Sequence, residues 1–269
     1  MNNTELVDFL KKCNGEFNVL PCPHHINDCQ SCFDRCYYGS RQDNYSCGKG
    51  CFYYAMHYAP AYISEIYHFL SISRLIEQIG KSNILVCSLG GGMGTDFCAI
   101  KQYIVNNNLD VSLAYTLFDK EPQWQAIINQ YDPQLKISLV DLTENEIPFG
   151  DTDIIFVNKL FSTLVANGIA DAFLPKFFQS LQTLKTGAYV VFNDVNLRDR
   201  GRDRFDNCIV HNGFTAMGKF YFPIENAYTG NFTPINSTGL IYDCSSLQLS
   251  CSIMNSVRKT VFFYYRKEA

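Results

Sequence analysis

The 269-residue sequence contains no apolar run that approaches the ~18 residues needed to cross a bilayer, so no membrane-spanning helix is expected. It has no excess of positive charge. Against 22 Lys and Arg stand 26 Asp and Glu, and the formal charge of −4 argues against a general nucleic-acid footprint, leaving only local basic patches. The first residues, Met1-Asn2-Asn3-Thr4-Glu5, lack the basic and apolar order of a secretory signal and the arginine-rich pattern of a transit peptide. A cytoplasmic, reduced protein is therefore expected, and the sequons at Asn44, Asn231 and Asn236 carry little meaning in that setting. Internal repeats and low-complexity tracts are absent, and there is a single tryptophan, Trp124. What remains is a globular composition, 47% hydrophobic and 14% aromatic, in a chain long enough for one α/β domain with an N-terminal extension.

Cysteine is not scarce. Seven of the twelve fall in the first 51 residues: Cys13, Cys22, Cys29, Cys32, Cys36, Cys47 and Cys51. The spacing Cys29-x2-Cys32-x3-Cys36, followed by Cys47-x3-Cys51, lets short loops offer paired thiolates to a tetrahedral ion at ~2.3 Å. Three readings stand: a structural zinc site drawn from these five, an iron–sulfur cluster, or free or disulfide-bonded cysteines without metal. His24 and His25, after Pro23, are a solvated pair, a ligand or a general base. From Phe52 to Ile79 the pattern is helical and is kinked or restarted at Pro60. Its tyrosines at 53, 54, 58, 62 and 67 read as core packing, with Tyr58 or Tyr62 as alternative pocket residues. His57, Glu65 and His68 read as polar positions on the same helix.

The most informative segment is Asn83 to Asp96. A short apolar run, Ile84 to Leu89, breaks into Gly90, Gly91, Gly92 and Gly94, then resumes as a helix. A buried strand, tight turn and helix N-terminus in this order bring backbone amides close to a nucleotide-like ligand. The glycines read GxGxG. A dinucleotide fingerprint needs glycine or alanine where Thr95 stands, so the loop is shaped for an adenosyl amino acid rather than a pyrophosphate. Val111 to Phe118 reads as the second strand, ending on Asp119, placed either to hold ribose hydroxyls or to cap the helix that starts near Pro122. Leu135 to Val140 is a third strand, ending on Asp141-Leu142-Thr143. Asp153 to Val157 is a fourth, ending at Asn158, and Leu184 to Val191 leads into a fifth that ends on Phe192-Asn193-Asp194. Lys259 to Tyr265 reads as a final strand, and Phe214 to Ser252 as a hairpin or loop insertion.

The order of glycine loop, Asp119, Asp141 and the strand ending at Asn158 resembles the class I S-adenosylmethionine-dependent methyltransferases over roughly residues 80 to 200. The phrase Cys87-Ser88-Leu89-Gly90-Gly91-Gly92, with Tyr58-Ala59-Pro60-Ala61-Tyr62 upstream, resembles a branch of that superfamily to which no substrate attaches. The resemblance implies a doubly wound, mostly parallel seven-stranded sheet. It implies that Gly90, Gly91, Gly92 and Gly94 cradle the methionyl part of the cofactor, that Asp119 holds the ribose, and that Asp141 and Leu142 lie against adenine. Ser88 stands where the family often has an acid. Acceptor-side groups are expected at the ends of the fourth and fifth strands, Asn158-Lys159 and Asn193-Asp194, with Asp194 as candidate base or helix cap and Asn158 beside it. No Asn-Pro-Pro-Tyr sequence follows the fourth strand and no Pro-Cys nucleophile stands there, so neither of those acceptor chemistries is indicated.

Residues 1–80 are thus expected to form a cysteine-rich, aromatic helical cap stabilised by metal, and 81–269 a Rossmann-like S-adenosylmethionine-binding domain. The expected activity is methyl transfer from S-adenosylmethionine to an acceptor of unspecified class. A non-catalytic cofactor- or metal-binding factor associated with assembly or RNA is the alternative. A nicotinamide oxidoreductase is disfavoured by GxGxG and by the lack of a Tyr-x-x-x-Lys pair. The alternating run Arg198 to Arg204 reads as a solvated loop or an anion-binding lid. An RNA acceptor requires a basic surface near Arg41, Lys49 and that loop.

Overall fold

A computed structural model describes residues 1–23, 28–37, 45–197, 200–223, 230–257 and 260–268, without the side chains of 34–37. Its centre is an eight-stranded sheet. The parallel strands are β1 (Asn83–Leu89), β2 (Ser112–Asp119), β3 (Ile137–Leu139), β4 (Ile154–Asn158) and β5 (Tyr189–Val195). β6 (Phe214–Tyr221), the two-residue β7 (Thr233–Pro234) and β8 (Thr260–Lys267) complete it in the order β3-β2-β1-β4-β5-β8-β6-β7. β8 runs antiparallel to both β5 and β6. The chain reverses direction away from β1 on its two sides, to β2 and to β4, and this crossover places a crevice at the carboxyl ends of those strands. The doubly wound α/β class expected from the sequence is the observed one. The eighth strand is the short edge piece β7.

The central strands are apolar at nearly every position because both faces are covered. Ile84 and Val86 of β1, Ile154 and Phe156 of β4, and Tyr189 and Val191 of β5 face one apolar cluster. Their neighbours Cys87, Leu89, Ile155, Val157, Val190 and Phe192 face the other. The first cluster takes in α1 (Asn3–Val19), α3 (Gly48–Ser73) and α5 (Thr95–Asn106); the second takes in α7 (Phe161–Ala166), α8 (Ala170–Gln182) and α9 (Arg202–His211). Helix α1 starts on a capping box, with the Asn2 side chain accepting from the Glu5 amide and Glu5 accepting from the Asn2 amide. Leu6, Phe9, Leu10 and Cys13 form its buried stripe at helical spacing.

Three boundaries differ from expectation. α3 runs unbroken through Pro60, and the break lies at Arg74, whose positive φ of 52° ends α3 and begins α4 (Leu75–Ile79). β5 begins at Tyr189 rather than Leu184, because Gly187 adopts a φ of 81° in the turn before it. Phe214 to Tyr221 is not an insertion but strand β6 inside the sheet. A register shift between Ala216 and Gly218 interrupts its period, and a Cβ on Gly218 would stand 2.7 Å from the Tyr264 ring.

Candidate functional site

The glycine loop after β1 is built from positions that tolerate no side chain. Gly90, Gly92 and Gly94 have φ of 60°, 51° and 72°. A Cβ on Gly90 would come within 2.8 Å of Leu160, and one on Gly91 within 2.7 Å of the Ser88 hydroxyl. At Gly92 the indole of Trp124 already lies 3.5 Å from the Cβ position. The Gly92 amide donates to Asp119 Oδ2 at 2.9 Å and the Glu121 amide to Oδ1 at 3.0 Å, which ties the loop to the end of β2. Burial pushes the Asp119 carboxyl up to about 6, against the pull of those amides. At the end of β3, Asp141 Oδ1 accepts from the Thr143 amide at 2.9 Å and its hydroxyl at 2.6 Å.

These pieces line one cleft of about 120 Å³. Gly90, Gly91, Gly92, Asp119, Asp141, Leu142 and Asn158 all lie on its wall. Ser88, Gly94 and Asp194 do not. Gly94 instead begins α5, and Ser88 is buried beneath the loop. Asp194 is fully buried, with Oδ2 accepting from the Ser162 amide at 2.8 Å in the first turn of α7 and Oδ1 from the Val195 amide at 2.7 Å. It anchors that helix, so the base expected at this position is not in the cleft.

At the β4 end the wall is Asn158 and Lys159. Asn158 is 7% exposed, and neither side-chain atom has a hydrogen-bond partner among the described residues. Lys159 has a φ of 51°, which aims it out of the strand direction. Its Nζ lies 2.7 Å from Glu65 Oε1 and 4.9 Å from the centre of the Tyr62 ring. Glu65, expected to be a polar helix position, is completely buried. It also accepts from Asn193 Nδ2 at 2.8 Å and from the Thr260 hydroxyl at 3.1 Å. Over the cleft stand Tyr45, Tyr54, Tyr62 and Trp124. Their rings meet edge to face or tilted, with centroids 5.5 Å apart for Tyr45 and Trp124, 5.4 Å for Tyr54 and Trp124, and 6.0 Å for Tyr54 and Tyr62. Sequence reasoning missed Tyr45, Trp124 and the Glu65–Lys159 pair. A helix-sized aromatic pattern pointed toward Tyr62, but no local spacing links Glu65 to Lys159.

Among the described residues the cysteines do not form the zinc site expected. Among the described residues no group of three or more His, Cys, Asp or Glu is arranged to hold a metal ion. Cys29 and Cys32 lie on α2 (Cys29–Tyr37), and Cys47 caps α3, its sulfur accepting the Gly50 amide at 3.3 Å. Cys51 is buried and its thiol donates to the Tyr45 carbonyl at 3.2 Å, and burial holds that thiol well above the usual range, against thiolate formation. Burial, then the neighbouring Cys47, Cys22 and Cys32, push Cys29 up to about 11. The side chain of Cys36, with His24, His25, Arg41, Arg198 and Asp199, lies outside the described residues. Of the arginine run, Arg202 and Arg204 contact Asn196, Asp203 and Asp171, and none of Arg200, Arg202 and Arg204 lines the cleft.

No known protein-family profile matches the sequence, and no curated protein is similar to it in sequence. Solved structures are similar in fold. A Listeria monocytogenes protein assigned to the class I S-adenosylmethionine-dependent methyltransferases aligns over 100% of this chain and 89% of its own, at 11% identity and a TM-score of 0.53. An S-adenosylmethionine-dependent methyltransferase from Clostridium acetobutylicum aligns over 77% of this chain and 92% of its own, at 8% identity and a TM-score of 0.47. A TehB-like methyltransferase from Corynebacterium glutamicum aligns over 73% and 86%, at 14% identity and a TM-score of 0.43. The cleft at the carboxyl ends of β1, β2 and β4 therefore sits in a chain with the fold of the class I S-adenosylmethionine-dependent methyltransferases.

Proposed function

We propose that the protein is an S-adenosylmethionine-dependent methyltransferase. One observation carries the reading: a glycine loop with no room for side chains, the β2-end acid Asp119 and the β3-end pair Asp141 and Leu142 line a single cleft with the unpartnered Asn158. The residues fit the cofactor. The bare backbone of Gly90 to Gly92 gives the methionyl part a close approach. Asp119, whose oxygens accept one amide each, retains lone pairs for the ribose hydroxyls. Asp141 and Leu142 offer an edge and an apolar face to adenine. The bound cofactor supplies a methyl group on a sulfonium, already a good leaving group.

The chain's own work is then placement. Lys159 and Leu160 follow Asn158 out of β4 and set the acceptor end of the cleft. Tyr45, Tyr54 and Tyr62, all from residues 1–80, act as a cap that excludes water. Their ring faces favour a cation beneath them. Calorimetric titration tests the reading: micromolar binding of S-adenosylmethionine and S-adenosylhomocysteine, with no binding of NAD, is expected. Binding of NAD alone, or of none of the three, overturns it.

A further inference from the structure

The cleft wall carries cations at both ends, Lys120 after β2 and Lys159 after β4, but carboxylates at one end among the described residues. Its carboxylates, Asp119, Glu121 and Asp141, all belong to the β2 and β3 ends. Among the described residues the β4 end carries Lys159 and the Asn158 amide and no carboxylate, since Asp194 is committed to the Ser162 and Val195 amides. Glu65 does not line the cleft. It stands behind Lys159, held by Asn193 and Thr260. The cleft wall therefore carries the lysine of that pair, whose buried Nζ Glu65 holds in place. An ammonium has three N–H donors, and one carboxylate oxygen at 2.7 Å leaves others for a second anion. Beside it, an Asn158 amide that is 7% exposed and without a partner among the described residues is a polar group whose partner is still to arrive. The Tyr62 ring lies 4.9 Å from the Lys159 Nζ, with Tyr54 on the same cleft wall.

We propose that the methyl acceptor is a flat, conjugated organic acid whose anionic oxygen is held by Lys159 and Asn158 and whose conjugated plane packs against the Tyr62 ring. This rests on the methyltransferase reading and names its substrate class. The chemistry closes without a base. A lone pair on the acceptor oxygen forms the new C–O bond as the S–CH3 bond breaks, and that electron pair stays on sulfur. An anion and a sulfonium become a neutral ester and a neutral thioether, and no proton moves. A protonated amine has to lose a proton first, at the end of the cleft that carries a lysine and, among the described residues, no carboxylate.

The test uses the full-length protein saturated with S-adenosylhomocysteine, titrated by calorimetry with trans-cinnamate, cinnamamide and cinnamylamine. Cinnamate is expected to bind at least tenfold more tightly than the amide or the amine. Lys159→Met is expected to abolish that preference, Lys159→Arg to keep most of it, and both to bind S-adenosylhomocysteine as the parent does, which also reports that they are folded. Equal or tighter binding of the amine or amide overturns the proposal, as does a lack of cinnamate binding. If Lys159→Met loses affinity for S-adenosylhomocysteine while melting like the parent, Lys159 serves the cofactor carboxylate and the proposal fails. If the parent does not bind S-adenosylhomocysteine at all, the methyltransferase reading fails first, and this one with it.

Discussion

Gly92 is constrained in three ways: its backbone takes a φ of 51°, its amide reaches Asp119, and its Cβ position lies 3.5 Å from the Trp124 indole. Gly92→Val is expected to abolish S-adenosylhomocysteine binding, and Asp119→Ala to weaken it by at least tenfold, measured by calorimetry. Unchanged affinity in both variants refutes the cofactor assignment. Such residues were legible in the sequence because a glycine's conformational freedom is a local property, visible from spacing alone. Lys159 and Glu65 were not legible as a pair, since 94 residues of chain separate them and only the fold brings them within 2.7 Å. A second buried acid carries a different prediction. Asp96 sits under the loop, accepting from the Tyr115 hydroxyl at 2.8 Å, and burial pushes its carboxyl up to about 6 from 3.8. An unfolded chain releases this proton near pH 4, the folded one near pH 6. Folding thus takes up a proton between those values, and stability falls as pH rises through that window. The difference corresponds to on the order of 3 kcal/mol for this group. Asp96→Asn is expected to flatten its share of the slope, with a melting temperature above the parent's at pH 8 and no such advantage at pH 4. A parallel pair of stability–pH curves refutes it.

At the scale of elements, the parallel strands were readable because each is a short apolar run between polar punctuation, and because both faces are buried. Their ends were less so. The start of β5 waits on the turn at Gly187, and the end of α3 on the positive φ of Arg74, neither of which leaves a periodic trace. β6 was misread because Gly218 and the register shift beside it break its alternation, although Phe214 and Phe220 are buried. The joint between β5 and α7 belongs to this scale too. Asp194 reaches across it to the Ser162 amide, a buried bond whose loss leaves a donor without a partner. Asp194→Ala is expected to lower stability by ~1–3 kcal/mol in denaturant titration. Because Asp194 is outside the cleft, S-adenosylhomocysteine affinity should hold in the folded variant. A loss of that affinity with stability intact places Asp194 in the site after all.

Across the whole molecule, the composition shift near residue 80 does not mark a gap in the core. Leu6, Phe9 and Leu10 of α1 and Ile63, Ile66 and Phe69 of α3 share one apolar cluster with Ile84, Phe156 and Phe262 of the sheet. The C-terminal segment then straps the N-terminal helices down. Tyr242 donates to the Met1 carbonyl, the Asp243 amide to Asn3, the Ser250 amide to Asn14, the Ile241 amide to Ser64 and the Met254 amide to the His57 carbonyl. Tyr54 and Tyr62 of the cleft's aromatic roof belong to α3, so site and core stand or fall together. Burial of the three large side chains of α1 contributes roughly 5–9 kcal/mol, an upper estimate. That is comparable with the about 5–15 kcal/mol by which whole domains are stable. The intact chain is therefore expected to unfold in one transition, with Trp124 fluorescence and far-ultraviolet circular dichroism coinciding. A chain lacking residues 1–19 should lose that transition together with S-adenosylhomocysteine binding. If the shortened chain still melts cooperatively and still binds, α1 is an appendage, and the sheet carries the cleft without it.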